Sequence, residues 1–262
     1  MVMSYCLLIK AVSLMKTKPL DSPFQLMVNI LHLETTTLNC GVALFSNGKV
    51  ISSKSIRKEG YSHAENIMPF IDEIFSEVSL GKSDLDAVSV SGGPGSYTGL
   101  RIGVATAKGI CHALNLPLIA VDTLSVLKNQ ASALYPNVDS YVSMLDARRM
   151  EVYSRSFSKD STSEVEAIVI NEESISRFDN LGSICFIGDG VEKCTGILNE
   201  KDHIFHSAYP CAEHAIELAE TAFDASDFVD LASYEPFYLK AFKAGVAKDP
   251  FNLRDKSNRI AH

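Results

Sequence analysis

Residues 91–103, which read SGGPGSYTGLRIG, have types and spacing suited to holding an anion. A short apolar strand is expected just before them, and Gly92, Gly93 and Gly95 permit positive φ and close approach of a backbone. A helix is predicted to begin at Gly99, and the free N–H groups of its first turn would point back at the loop. A phosphate, a carboxylate or a partner's side chain could bind there.

The spacing of these glycines departs from the common nucleotide motifs. No Lys-Ser or Lys-Thr pair follows them, which excludes a P-loop, and Gly93, Gly95 and Gly99 do not follow the dinucleotide-binding order. Tyr97 stands where a nucleophile elbow has serine. A plain tight connection between a strand and a helix is the alternative reading.

Composition sets the class of protein. The 262 residues are 46% hydrophobic and carry a net charge of −8, so we expect two modest domains and no large basic surface for nucleic acid. The six cysteines are scattered without a C-x-x-C pair, which indicates buried thiols of a reducing cytoplasm rather than disulfides or a metal site. Lys10 interrupts the apolar start of the chain, and no membrane segment is expected.

The elements that must position the glycine-rich segment repeat along the chain. Residues 28–58 predict three strands, with an Asn47-Gly48 hairpin turn between the second and third. Residues 140–170 predict the same order, with a tip at residues 146–149. Two such three-strand meanders indicate a duplicated domain.

Two helices are predicted after the first meander. Ser62 and Glu65 have the spacing of a capping box, and the helix that follows carries an apolar stripe. The second helix, predicted for residues 99–116, is apolar or small around most of its circumference. Gly99 and Gly103 share one face of it and indicate close packing. That packing is either on the protein's own sheet or on another chain to which the two helices present a surface.

Several segments together carry a family resemblance. They are ILHLETTT at residues 30–37, HAE at 63–65, GPGSYTGLRIG at 93–103, DARRMEVY at 146–153, GDG at 188–190 and FYLK at 237–240. In order and content they resemble the TsaB family of bacterial tRNA threonylcarbamoyladenosine biosynthesis proteins. The likeness covers residues 28–240.

The resemblance implies an α/β fold of two tandem ribonuclease-H-like subdomains of the actin, sugar-kinase and Hsp70 type, each with a three-strand meander plus helices. We therefore expect a first subdomain at residues 27–130 and a second at 131–240. Residues 1–26 are expected to be a loose extension or the result of a start codon assigned too far upstream, and residues 241–262 a C-terminal tail.

The resemblance also implies a noncatalytic scaffold that pairs with TsaD, the protein that transfers the threonylcarbamoyl group, and works with the ATPase TsaE. ATP and metal are expected on those partners, tRNA is met only through the complex, and the free chain could form a homodimer. No catalytic residue and no metal ligand are assigned to this chain. The implied partner interface comprises Ile67, Phe70, Ile71, Ile74, Gly99, Arg101, Gly103 and Ala107.

A degenerate nucleotide or phosphate site is the further implication, because members of this superfamily bind phosphate between the two hairpins. Its residues here are Glu34, Thr35, Thr36, Gly95, Ser96, Asp146, Gly188, Asp189 and Gly190. Arg148 and Arg149 are bulky where a glycine would let backbone N–H groups approach phosphate. A phosphotransferase and a glycoprotease-like peptidase are the alternative functions, although no nucleophile and base can be paired from spacing.

Overall fold

The computed structural model describes residues 28–58, 63–197 and 203–240. These residues form two five-stranded sheets flanked by helices. The expected N-terminal extension, the C-terminal tail and the cap Ser62 lie outside the described residues. None of the helices in the described ranges has the length and apolar content needed to cross a bilayer.

The first sheet has the strand order β3-β2-β1-β4-β5. Its first three strands form the predicted antiparallel meander, and β4 and β5 add in parallel beside β1. Asn47 and Gly48, with φ values of 49° and 73°, make the predicted hairpin turn. The strands are β1 (Asn29–Glu34), β2 (Asn39–Ser46), β3 (Lys49–Arg57), β4 (Ala87–Gly93) and β5 (Leu118–Asp122).

The second sheet repeats this arrangement in the order β8-β7-β6-β9-β10. An antiparallel meander again leads, and two parallel strands again extend it from the central strand β6. The duplication predicted from the meanders is thereby confirmed. The strands are β6 (Ser140–Asp146), β7 (Glu151–Ser158), β8 (Glu166–Val169), β9 (Ile184–Ile187) and β10 (His203–His206).

Helices α1 (His63–Glu77) and α2 (Tyr97–Leu114) cover one face of the first sheet. The second helix begins two residues before the predicted Gly99, because the Ser96 side chain caps it by accepting a hydrogen bond from the Gly99 N–H at 3.3 Å. Asn115, with φ 55°, ends it in the left-handed conformation. The corresponding helix of the second half, α4 (Glu172–Ile175), has only four residues.

Helix α3 (Thr123–Leu134) packs on both sheets. Val126 joins the apolar cluster of the first sheet, whereas Leu124 and Leu127 pack with residues of β6 and β9. At the start of the helix, Asp122 forms an ion pair of 2.9 Å with Arg155 of β7. The boundary expected at residue 130 therefore falls inside a helix shared by both halves.

The last part of the described chain returns to the first sheet. Ala212 and Ala215, in a 3₁₀ turn at Ala212–Ala215, and Ala219 of α5 (Ile216–Asp224) are buried against Ile30 and Phe45. The prediction that all of residues 131–240 belong to the second subdomain is therefore wrong for this segment. Hydrophobic packing, which composition along the chain does not reveal, places residues 212–224 with the first subdomain.

Candidate functional site

The glycine-rich turn between β4 and α2 packs directly on Thr35 and Thr36, at the tip of the first hairpin. The Ser96 N–H donates to the Thr36 carbonyl at 2.6 Å, and the Thr35 hydroxyl donates to the Gly99 carbonyl at 2.8 Å. A Cβ on Gly95 would lie 2.5 Å from the Thr36 carbonyl oxygen, and one on Gly99 would come closer still to that of Thr35. Because Gly95 and Gly99 have no side chain, the backbone of Thr35 and Thr36 can lie directly against them.

The other side of the same turn is covered by residues 228–240, which we call the C-terminal strap. The Phe237 N–H donates to the Gly92 carbonyl at 2.8 Å, and a Cβ on Gly93 would lie 2.6 Å from the Phe237 carbonyl oxygen. A Cβ on Gly92 would overlap the Tyr234 hydroxyl. The space expected to receive an anion beside these glycines is thus occupied by two segments of the chain.

Glu34, at the end of β1, lies beneath the turn and is fully buried. One carboxylate oxygen accepts hydrogen bonds from the Thr36 N–H at 2.8 Å and the Thr36 hydroxyl at 2.5 Å. The other accepts from the Ser91 hydroxyl at 2.5 Å. Burial raises the pKa of Glu34, and the hydrogen bonds from Ser91 and Thr36 oppose that rise.

His32 extends this network along the sheet. Its Nδ1 lies 3.0 Å from the Ser89 hydroxyl, and its Nε2 lies 3.4 Å from the Ser91 hydroxyl. Burial lowers the pKa of His32 to about 3, so the ring is neutral. Hydroxyl, imidazole and carboxylate are the groups of an acyl-transfer site, but His32, Ser89, Ser91 and Glu34 have no exposed surface. In this conformation no substrate can reach them.

The second half presents the equivalent glycine segment after β9. Gly188, with φ +132°, donates its N–H to the His206 carbonyl at 3.1 Å, and Gly190 donates to the Met144 carbonyl at 3.1 Å. Asp189 accepts from the Asp146 N–H at 2.8 Å, and burial raises the pKa of Asp189 to about 6. Like the glycines of the first half, Gly188 and Gly190 are in close contact with other segments of the same chain.

The tip of the second hairpin is held by charged side chains. Lys193 pairs with Asp146 at 2.8 Å, and Lys240 of the strap pairs with Glu151. Arg148 and Arg149 adopt φ values of 70° and 53°, a left-handed conformation that is uncommon outside glycine. The bulky side chains predicted at this tip are therefore present, although their backbone has the left-handed conformation that favours glycine.

The residues assigned to a partner interface face mainly inward. Ile67, Ile71, Ile74, Gly99, Gly103 and Ala107 are buried, and Phe70 is half-buried against the same core. A partner cannot contact the buried members without unfolding the helices, so naming them as contact residues was wrong. Of the eight, Arg101 alone is exposed, with its guanidinium 4.2 Å above the Tyr97 ring and its Nε donating to the Tyr238 hydroxyl at 3.2 Å.

The outward side of the two helices is formed by other residues. Met68 of α1 is 43% exposed, and Arg101, Ala105 and Gly109 follow one another at four-residue spacing on the outer side of α2. A Cβ on Gly109 would have no atom of the described residues within 4 Å. Any interface on these helices would use this outer face.

The buried cysteines of the described ranges offer no reactive thiolate. Cys40, Cys111, Cys185 and Cys194 are buried free thiols, and burial raises the pKa of each to about 11. The residues that the structure describes contain no group of three side chains able to hold a metal ion.

Sequence reasoning missed His32, Ser89 and Ser91 as partners of Glu34. The sequence did contain a signal for them. His32 and Glu34 are two residues apart in an otherwise apolar strand, and so are Ser89 and Ser91, so each pair lies on one face of its strand. It also missed the strap, since Tyr234 and Phe237 lie more than a hundred residues from the turn that they cover.

Two sheets of identical strand order, joined through a shared helix, define a protein of two ribonuclease-H-like subdomains, the architecture of the actin, sugar-kinase and Hsp70 class. The sequence profile of the family described as TsaD, tRNA N6-adenosine threonylcarbamoyltransferase, matches residues 56–226. The chain belongs to this family.

Individual relatives agree with the TsaB resemblance read from the motifs and confirm it. The tRNA threonylcarbamoyladenosine biosynthesis protein TsaB of Haemophilus influenzae is 26% identical over 225 residues, which are 81% of this chain and 94% of that protein. TsaB of Escherichia coli is 28% identical over 222 residues, 81% of this chain and 95% of that protein. The structure of YeaZ from Pseudomonas aeruginosa aligns with a TM-score of 0.71 at 25% identity, covering 81% of this chain and all of that one.

Proposed function

We propose that this chain acts in tRNA threonylcarbamoyladenosine biosynthesis as a noncatalytic scaffold that pairs with a TsaD protein. Membership of the family and the names of the relatives support the pathway. The observation that carries the noncatalytic role is the filling of the glycine-rich turn by Thr35, Thr36 and the strap. A phosphate cradle needs open backbone N–H groups, and here the chain itself takes up the space beside the glycines.

The remaining parts of a nucleotide site support the same assignment. Glu34 is enclosed and hydrogen-bonded by Thr36 and Ser91, which leaves it no free face for a metal ion. The second hairpin carries the side chains of Arg148 and Arg149 at its tip. ATP and metal accordingly belong to the partners in this proposal, with TsaE as the ATPase, and tRNA is met only through the complex in the cytoplasm.

The partner surface we propose is the outer face of α1 and α2. Ala105 and Gly109 are small and exposed, so a helix of another chain could approach α2 closely, and Met68 of α1 adds an exposed apolar side chain. In the absence of TsaD, the same face would support a homodimer.

Light scattering after size-exclusion chromatography of the full chain, alone and mixed with TsaD from the same organism, tests this surface. Gly109→Arg places a long charged side chain at the centre of the proposed interface, where the isolated chain has open space. We expect the unaltered chain to form a one-to-one complex and the variant to remain free. The matched control is Ala133→Arg, a substitution of another small, exposed residue on α3.

Two results would contradict the proposal. A Gly109→Arg variant that pairs as tightly as the unaltered chain would remove the outer face as the partner surface. Saturable binding of ATP by the isolated, folded chain would contradict the filled cradle and favour the phosphotransferase alternative.

A further inference from the structure

A cavity of about 550 Å³ opens on the second sheet, at the end of β7 away from the hairpin tip. Hydroxyl groups line much of it, and an apolar wall is formed by Ile168, Phe178 and Leu181. It lies in the second half of the molecule, whereas the proposed partner surface is in the first. The cavity is therefore separate from the proposed partner surface.

The cavity exists because the two halves cover equivalent sheet faces differently. In the first half, α1 has 15 residues and packs on Val42 and Leu44 of β2. In the second half, the connection between β8 and β9 contains only the four-residue α4 and a 3₁₀ turn at Ser176–Phe178. The face of β7 beneath it continues from Val152 through serines at positions 154, 156 and 158. A shortened cover over small side chains leaves a space.

One buried hydroxyl in this space has no partner. Ser154 is 2% exposed, and its Oγ makes no hydrogen bond among the described residues. Buried polar atoms are nearly always paired, so this hydroxyl points to a group that the protein itself does not supply. Ser156, which is half-buried, and Thr162, which is exposed, place further hydroxyl groups on the wall of the same cavity.

The charges at the rim cancel. Arg177 and Glu166 are both exposed and form an ion pair of 2.6 Å, so neither is an unsatisfied charge awaiting a charged ligand. The groups left to bind something are neutral hydroxyls, each able to donate and to accept, opposite an apolar wall.

We propose that this cavity binds a neutral, polyhydroxylated small molecule. Ser154, Ser156 and Thr162 would exchange hydrogen bonds with its hydroxyl groups. The wall containing Ile168 and Phe178 would pack against its C–H face, in the usual combination of an apolar surface with a few convergent polar groups.

Titration of the ¹⁵N-labelled full chain with D-glucose, D-ribose and, separately, inorganic phosphate tests the proposal by amide chemical shifts. We expect saturable shifts with at least one of the two sugars at residues 154–163 and at Phe178. Ser154→Ala removes the unpartnered hydroxyl without adding bulk, and we expect it to weaken the sugar about fivefold, the loss of one hydrogen bond. Ser156→Leu, which fills the cavity, should abolish the shifts, and Ser76→Ala on the distant α1 should leave them unchanged.

The remaining outcomes overturn the proposal. Saturable shifts with phosphate alone, removed by Arg177→Gln, would make the cavity an anion site. No saturable shift with any of the three probes, while the spectrum shows a folded protein, would leave only water beside Ser154. Sugar binding that Ser154→Ala and Ser156→Leu do not change would place it elsewhere on the chain.

Discussion

His32 is a titratable side chain whose burial has a predictable effect on stability. Its pKa falls from 6.5 to about 3 because a charged imidazole would lose hydration in the sheet interior. As the pH falls below 6.5, the unfolded chain takes up a proton at this residue and the folded chain does not. The stability contributed by neutral His32 is therefore present above pH 6.5 and is lost as the pH falls towards about 3. The raised pKa of Glu34 acts in the opposite direction.

The variant His32→Asn isolates this effect, because an amide can still bond Ser89 but does not titrate. Between about pH 7 and about pH 4.5, we expect the free energy of unfolding of the unaltered protein to fall by about 2 kcal/mol more than that of the variant. Urea denaturation at the two pH values measures the difference. Equal losses in the two proteins would contradict this prediction, because they would show that the folded chain protonates His32 as readily as the unfolded chain does.

At the scale of the element, α2 carries glycines with opposite roles on its two sides. Gly99 and Gly103 face Thr35 so closely that a methyl group would overlap it. Gly109 faces open space on the outer side. Close packing therefore requires glycine at positions 99 and 103. At position 109 packing inside this chain does not require it, and glycine only lowers the helix propensity there.

Alanine substitutions should separate these roles. Gly99→Ala brings a Cβ onto the Thr35 carbonyl, a backbone atom that cannot rotate away, and we expect a loss of stability of about 2 kcal/mol or more. Gly109→Ala should stabilise the protein by about 1 kcal/mol through helix propensity. Both are measured by urea denaturation of the full chain. A neutral Gly99→Ala would mean that the turn and the hairpin tip separate easily.

The whole molecule is tied together by segments distant in sequence. The strap runs from Val229, which pairs with Leu118 at the edge of the first sheet, across Gly92 to Lys240, which contacts Glu151 in the second half. Arg155 and Asp122 make a second connection between the halves at 2.9 Å. The relative position of the two subdomains therefore depends on side chains of the strap as well as on α3.

Tyr234 is the strap residue whose hydroxyl lies against Gly92. It packs on the apolar core that the first sheet forms with α1 and α2. We expect Tyr234→Ala to release the strap, so that limited proteolysis cuts residues 228–240 several times faster while circular dichroism is unchanged. Glu235→Ala, at an exposed residue of the strap, is the control and should be cut at the original rate. An unchanged rate in Tyr234→Ala would assign the anchoring to Phe237 and the strap backbone.

Much of the fold was predictable from local pattern. Strand alternation, the Asn47-Gly48 turn and the two meanders each depend on residues close in sequence, and all were found in the structure. The exposed side of α1 and α2 could not be predicted in this way. An apolar stripe has the same sequence whether it faces a sheet of its own chain or a partner. For the same reason the sequence placed residues 212–224 with the wrong sheet.

By itself, the sequence determined the duplicated α/β architecture and the family, since strand periodicity, turn residues and the motif near residue 93 act over short distances along the chain. Tertiary structure alone decided what the glycines are for. A glycine admits any backbone or ligand that comes close, and only the folded chain shows that Thr35, Thr36 and the strap occupy that space. It also decided that Glu34 is enclosed and that Ser154 has no hydrogen-bond partner among the described residues, because burial depends on contacts between distant segments.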